Sequence, residues 1–266
     1  MSFSVTRENE FAPWLRNSYH KVYEAICGRP PHKRVCHFSY LATKDLCADI
    51  HRVIPKLQGR ILDVGCGQKP YRKWAKMAAQ YVGIDVTPGP QVDACARCGD
   101  PWPFASACFD AVVCTQVLEY VPNLQAAVAE IDRVLKPGGY LVATVPFLHP
   151  QEPGDDRRRL TLQGMQELFA PRYHILEAKP QGRIGTILGL MCLGWINAAL
   201  TRRRGTLLIK GAGLPIWIAF CGLVNGLCSL LDRLDFTGIY YTNVLIVAQK
   251  IGSEATLKCP IVPAPR

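Results

Sequence analysis

The feature that most constrains this chain is a short apolar run that ends on a pair of glycines. Arg60-Ile61-Leu62-Asp63-Val64 reads as a buried strand and stops at Gly65-Cys66-Gly67. Glycines at the exit of a strand let a ligand lie against the backbone, and a helix N-terminus behind them favours a negative group. A second short strand reads over Tyr81–Val86, and Asp85 at its end stands 22 residues after Asp63. An acid in that position can accept hydrogen bonds from ribose hydroxyls. Gly-x-Gly alone is common in tight turns. Strand, glycine turn, helix, strand and terminal acid in this order are far more specific.

The rest of the pattern extends this unit. The residues after Gly67 predict a helix through about Ala79, and further strands read at Phe109–Cys114 and Tyr140–Pro146. Between these two, Pro122–Leu135 predicts an amphipathic helix with Leu124, Val128, Ile131 and Leu135 on one face. Lys136-Pro137-Gly138-Gly139 is expected to end it. A helix from about Thr161, a strand near Tyr173–Ala178 and a last strand at Tyr240–Lys250 follow. Two helices, Tyr19–Ile26 and Leu41–Ile54, precede everything else. Strands alternating with helices imply an α/β fold around a largely parallel sheet. The expected organisation is a helical cap over 1–57, a core over 58–180 closed by a last strand at 239–251, an apolar helical insertion over 181–238 and a tail over 252–266.

Gly65-Cys66-Gly67-Gln68-Lys69-Pro70 has proline where a nicotinamide-dinucleotide fingerprint has its third glycine, which argues against that cofactor. The whole series instead resembles the class I S-adenosylmethionine-dependent methyltransferases over about Arg60–Thr161. The residues that carry the resemblance are Leu62 to Gly67, Tyr81-Val82-Gly83-Ile84-Asp85, Trp102-Pro103-Phe104, Val117-Leu118-Glu119, Arg133 to Gly139, and Val145-Pro146-Phe147. The resemblance implies a Rossmann-like sheet of seven strands, the last antiparallel, with helices on both faces. It implies S-adenosylmethionine at the carboxyl ends of the first strands. Asp63, Gly65, Cys66 and Gly67 would then shape the methionine end of the pocket. Asp85, with Val86 beside it, would hold the ribose, and Gln116 and Leu118 would border the sulfonium. The position facing the adenine amino group falls on Arg97, where relatives usually have aspartate; Asp93 and Asp100 are the nearby substitutes.

Methyl transfer is an in-line displacement, so an enzyme mainly aligns the partners and removes a proton where the acceptor needs it. Related sequences often carry Leu-Glu-His after the fourth strand, whereas this one has Leu118-Glu119-Tyr120. His149, just beyond the fifth strand, is therefore the candidate base. Asp156, Arg159 and Thr161 match a D-x-x-R-x-T element of these enzymes and are expected to order their loop by an ion pair and cap the next helix. Cys95-Ala96-Arg97-Cys98 and Cys108 supply too few ligands for zinc, so no metal is expected. With 12 cysteines scattered through apolar stretches and no signal peptide at the start, the chain reads as one for a reducing, cytoplasmic compartment.

The departure from the family pattern is apolar. Ile184–Leu200 and Gly211–Leu231 carry no charge. They approach the ~20 residues that span a bilayer. From Arg183 to Lys210, both included, there are five basic residues and no acid. A spanning hairpin attached to a cytosolic domain would put Arg202, Arg203, Arg204 and Lys210 on the far side, against the positive-inside tendency. Two helices lying in the interface suit those charges better, each basic residue contributing about 1 kcal/mol at an anionic surface. Packing on the protein itself is the alternative. The expectation is thus a methyltransferase at the cytosolic membrane surface acting on a hydrophobic or lipid-linked small molecule, more at oxygen than elsewhere. The alternatives are a soluble enzyme with an apolar lid and a binding protein without catalysis. No element for a flipped base is present, so nucleic acid is not an expected partner despite the formal charge of +10.

Overall fold

The computed structural model describes residues 13–97, 99–151, 155–202 and 211–252. The chain forms two compact units. The first, helical, comprises 1–48, 148–150 and 182–242; the second, built on the sheet, comprises 49–147, 151–181 and 243–266. The boundary in the first third of the chain falls inside helix α2 (Tyr40–Val53).

The sheet unit is built on seven strands: β1 (Gly59–Val64), β2 (Ala78–Asp85), β3 (Ala94–Cys95), β4 (Phe109–Thr115), β5 (Leu135–Pro146), β6 (Tyr173–Gln181) and β7 (Asn243–Lys250). Their order is β3-β2-β1-β4-β5-β7-β6. The first five are parallel neighbours, and β7 runs antiparallel between β5 and β6. This is the seven-stranded, Rossmann-like arrangement expected from the strand–helix alternation and the resemblance. Ile61, Leu62, Val112, Val113, Leu141, Val142, Leu245 and Ile246 are fully buried, as continuous apolar runs in a covered sheet should be. Helix α3 (Leu124–Val134) starts one residue after Asn123, whose Oδ1 accepts from the Ala126 amide at 3.1 Å. Helix α4 (Leu162–Phe169) is capped by Thr161, which accepts from the Gly164 amide at 3.0 Å.

Several sequence expectations need correction. No α-helix joins β1 to β2; only a 3-10 turn forms at Arg72–Trp74. Gly67 and Lys69 both take left-handed conformations and Pro70 has no amide hydrogen to offer a helix, so the chain is turned before a helical ladder can start. Pro122 lies outside α3, because Asn123 supplies the cap. Lys136–Gly139 does not form a turn after that helix: β5 begins at once at Leu135 and runs through it. β3 was not anticipated, since a strand of two residues carries no periodicity.

In the helical unit, α1 (Pro13–Cys27) and the first part of α2 accompany α5 (Ile184–Arg202) and α6 (Leu214–Leu234). The two uncharged segments therefore are helices, each shifted or extended by a few residues. Their close approach depends on glycine. A Cβ on Gly185 would run into the Cys228 carbonyl, and one on Gly189 would reach Leu41 and lie 3.0 Å from the Cys228 sulfur. Gly185-x-x-x-Gly189 is the small-residue spacing that lets helix backbones meet. Asp235 joins the helices at this same end, accepting the Ile184 amide at 3.1 Å while its carbonyl accepts from Arg183.

Candidate active site

Three strand ends of the sheet unit converge on one cavity of about 310 Å³. That is within the range of small-ligand sites. Its walls include Val64 and Gly65 after β1, Ile84, Asp85 and Val86 after β2, and Gln116 and Val117 after β4. Arg97, Asp100 and Trp102 close one side, and Tyr120, Val121, Pro122, Ala126 and Ala127 another.

The β1 turn has the form its glycines allow. Gly65 sits at φ +66, and a Cβ there would strike the Val117 side chain. No other residue type fits that approach without strain. The Gly65 and Cys66 amides both donate to the Ile84 carbonyl, at 2.9 and 3.2 Å. The Gly67 amide donates to Asp85 Oδ2 at 3.0 Å, and the Thr87 amide to Asp85 Oδ1 at 3.0 Å. Asp85 is thus aimed by backbone hydrogens while it borders the cavity. Gln116 is the strained member of the site. It takes φ +55, an unusual conformation for a side-chain-bearing residue, and is tied to Thr144 through its amide at 2.9 Å and its Nε2 at 3.3 Å.

Asp63 is buried beneath the turn and is not part of the cavity wall. Its Oδ2 accepts from the Tyr81 hydroxyl at 2.9 Å. Burial pushes its carboxyl up to about 7, against the lowering pull of the Tyr81 hydrogen bond and Lys69. Cys66 is buried as well, its thiol pushed up to about 12 by burial first and the neighbouring Asp63 and Asp85 charges second. Asp93 pairs with Lys69 and accepts the Gly83 amide at 2.7 Å, which takes it out of the running for adenine. Arg97 and Asp100 both line the cavity; Leu118 is fully buried and does not.

Sequence reading missed the bracing of the walls. Glu130 accepts the Trp102 amide at 2.7 Å, and Arg133 donates to the carbonyls of Phe104 at 2.7 Å and Trp102 at 3.1 Å. Together they hold the Arg97–Trp102 side from α3. Arg158 does the same for the other side, donating to the Leu118, Val121 and Pro122 carbonyls at 3.2, 2.6 and 3.1 Å. The acidic and basic letters were visible in the sequence, but their backbone partners lie some thirty to forty residues away. Asp156 and Arg159 form the expected ion pair. Beside them Glu119 is buried, and its Oε2 has no hydrogen-bond partner among the described residues. Burial raises its carboxyl to about 7, with the Asp156 charge adding to the rise and Arg159 opposing it.

His149 belongs to the helical unit, three residues beyond the end of β5, with Nδ1 3.0 Å from the Pro150 carbonyl. Cys98 and Glu152 lie outside the described residues. Among the described residues no group of three or more His, Cys, Asp or Glu could hold a metal ion.

Comparison with known proteins points the same way. Residues 62–143 match the family described as a methyltransferase domain. A demethylmenaquinone methyltransferase of Tropheryma whipplei (strain Twist) is 36% identical over 104 residues, covering 34% of this chain and 43% of that protein. A ubiquinone biosynthesis O-methyltransferase of Xanthomonas axonopodis pv. citri is 35% identical over 97 residues, covering 31% and 41%. The match thus spans less than half the length of these relatives. Among solved structures, the [4+2]-cyclase SpnF superposes with a TM-score of 0.52 at 23% identity, over 80% of this chain and 83% of that one, which shows the shared fold.

Proposed function

We propose that this chain, whose core is a class I S-adenosylmethionine-dependent methyltransferase domain, transfers a methyl group to an oxygen of a hydrophobic, quinone-type small molecule. The observation that carries the reading is the Gly65 turn, pressed against Val117 with no room for a side chain and opening on the cavity beside Asp85. These residues fit the cofactor: a bare backbone for its methionine end, a backbone-aimed carboxylate for its ribose. When bound, S-adenosylmethionine supplies a methyl group on a positively charged sulfur.

The chain's own part is alignment. Gly65 and Gly67 keep the turn open, Asp85 accepts the ribose hydroxyls, and Gln116 borders the reacting end. Val86, Val121, Pro122, Ala126 and Ala127 give the cavity apolar walls against which the reactants are held in a near-attack geometry. Asp100 is the acid we assign to adenine in place of the residue lost at Arg97. His149 is the group we assign to proton removal. The names of the quinone-pathway relatives support the acceptor class, and the apolar helices of the helical unit support work at the cytosolic face of a membrane.

Calorimetric titration of S-adenosylmethionine and S-adenosylhomocysteine tests the reading. The expected result is micromolar binding by the wild type and a loss of at least about a hundredfold in Asp85→Ala. In turnover assays on a hydroxylated quinone, His149→Gln should lower kcat with cofactor affinity unchanged. A folded wild type that binds neither compound overturns the assignment. One that binds both but methylates no quinone or lipid extract is a binding protein.

A further inference from the structure

Helix α6 buries a side that mixes apolar and polar residues and exposes one that is wholly apolar. Trp217, Cys221, Asn225 and Asp232 are buried, at spacings that put them on one side of the helix. Asn225 Nδ2 donates to the carbonyls of Val35 and His37, at 2.6 and 2.9 Å. Asp232 accepts from Lys44 Nζ at 2.8 Å and from the Thr186 amide and hydroxyl at 2.8 and 2.7 Å. These bonds fix one side of the C-terminal half of the helix to its own unit, and the buried Trp217 and Cys221 continue that side into the N-terminal half. On the opposite side Ile216, Phe220, Leu223, Leu227, Leu230 and Leu234 are exposed, Ile216 at 77% and Leu234 at 68%. Steps of three and four residues place all six in one stripe, about 27 Å long at ~1.5 Å per residue.

By length and composition α6 would also suit a membrane span. A span bound to its own protein through Asn225 and Asp232 would bring the partners of those side chains into the hydrocarbon with it, where each polar group is costly. A helix lying along the interface meets no such conflict. It keeps its bonded side in protein and gives only the stripe to lipid. Charge decides between a bilayer and a second copy of the chain. From Arg183 to Leu234 the sequence holds six basic residues and one acid, and that acid is the buried, paired Asp232. In the sequence, the segment that joins the two helices carries Arg202, Arg203, Arg204 and Lys210 and no acid, a charge that anionic headgroups neutralise and that the same segment of a second copy would repeat.

We propose that the stripe Ile216–Phe220–Leu223–Leu227–Leu230–Leu234 is the docking surface by which the protein lies on an anionic lipid bilayer, with α6 in the plane of the interface. This deepens the proposed function, whose hydrophobic acceptor would be met there.

The test is cosedimentation of the full chain with vesicles of phosphatidylcholine and phosphatidylglycerol in equal amounts, and with phosphatidylcholine alone. The wild type should partition onto the mixed vesicles and at least about tenfold less onto the neutral ones. The double variant Leu223→Glu, Leu227→Glu should lose that binding by tenfold or more, and high salt should weaken the wild type. Leu176→Glu, which places the same charge on an exposed residue of the sheet unit, should bind as the wild type does. Helicity by circular dichroism and cofactor binding by calorimetry, measured without vesicles, report whether each variant folds; Ile216→Ser is the milder substitute if the double variant does not. Undiminished vesicle binding by a folded stripe variant overturns the proposal. So does a wild type that ignores vesicles and sediments as a dimer which the stripe variant converts to monomer. Failure to bind cofactor alongside intact vesicle binding sinks the methyltransferase reading and leaves the docking surface standing.

Discussion

The two units use apolar residues in opposite ways. In the sheet unit, the strands bury nearly every branched side chain, and the exposed surface carries ion pairs such as Lys136–Asp110 and Arg172–Asp132. In the helical unit, α5 and α6 are apolar almost all round. Part of what they bury is nevertheless polar: Thr186, Asn225, Asp232. What they expose includes Leu188, Met191 and Trp195 on α5 as well as the stripe on α6. The helical unit thus buries polar groups beside Leu190, Leu193 and Trp217 and leaves an apolar stripe outside, the kind of patch that marks an interaction surface. Hydrophobicity alone does not say which face of a helix a protein keeps.

This contrast can be broken at three points. The largest effect is expected from Gly185→Val, because its side chain would enter the backbone of α6 at Cys228. The helical unit should lose about 3 kcal/mol. Hydrogen exchange should rise across α5 and α6; protection left unchanged would mean that the glycine contact does not hold the helices. Lys44→Met comes next. It strips a buried carboxylate of its cation while the Thr186 bonds remain, at a cost of about 2 kcal/mol for the lost charged hydrogen bond. Adding Asp232→Leu should recover part of that loss, since an apolar pair removes the unpaired charge. If the double variant is no better than the single one, the polar interior is needed for more than its own satisfaction.

The smallest and most conditional effect lies in the sheet unit. Glu119 titrates near 7 in the fold and near its ordinary value of 4.5 when unfolded. Between those values the folded state holds the proton that the unfolded state has released, so stability falls as pH rises through this window. Glu119→Gln removes the titration. Its melting temperature should therefore lose part of the decline seen in the wild type between about pH 4.5 and 7, and exceed the wild type most above pH 7. Parallel curves for the two proteins would show that the carboxyl is solvated in solution. Asp63, raised to about 7 by its own burial, contributes a decline of the same sign that the variant retains.

What the sequence by itself determined is what depends on neighbours along the chain. The strand into Gly65-Cys66-Gly67, the acid at Asp85, the cap at Thr161 and the alternation of strands and helices are local in origin. They follow from φ preferences, two-residue and 3.6-residue periodicities and the chemistry of turns. The missing helix between β1 and β2 is local too: Pro70 signals it, although a Gly-x-Gly turn by itself predicts a helix behind it. Only the tertiary structure decided the rest, because it depends on partners brought together from far along the chain. Arg133 and Arg158 became braces once their carbonyl acceptors were in reach. Glu119 and Asp63 acquired raised proton affinities once the sheet unit closed around them. The orientation of α6 is the clearest case. Its sequence sets an apolar stripe at steps of three and four residues, which by pattern alone would be the side a protein buries. Asn225 and Asp232 choose it by bonding to Val35, His37, Lys44 and Thr186, since a buried polar group must find its partners and the leucines opposite are left to meet whatever surrounds the protein.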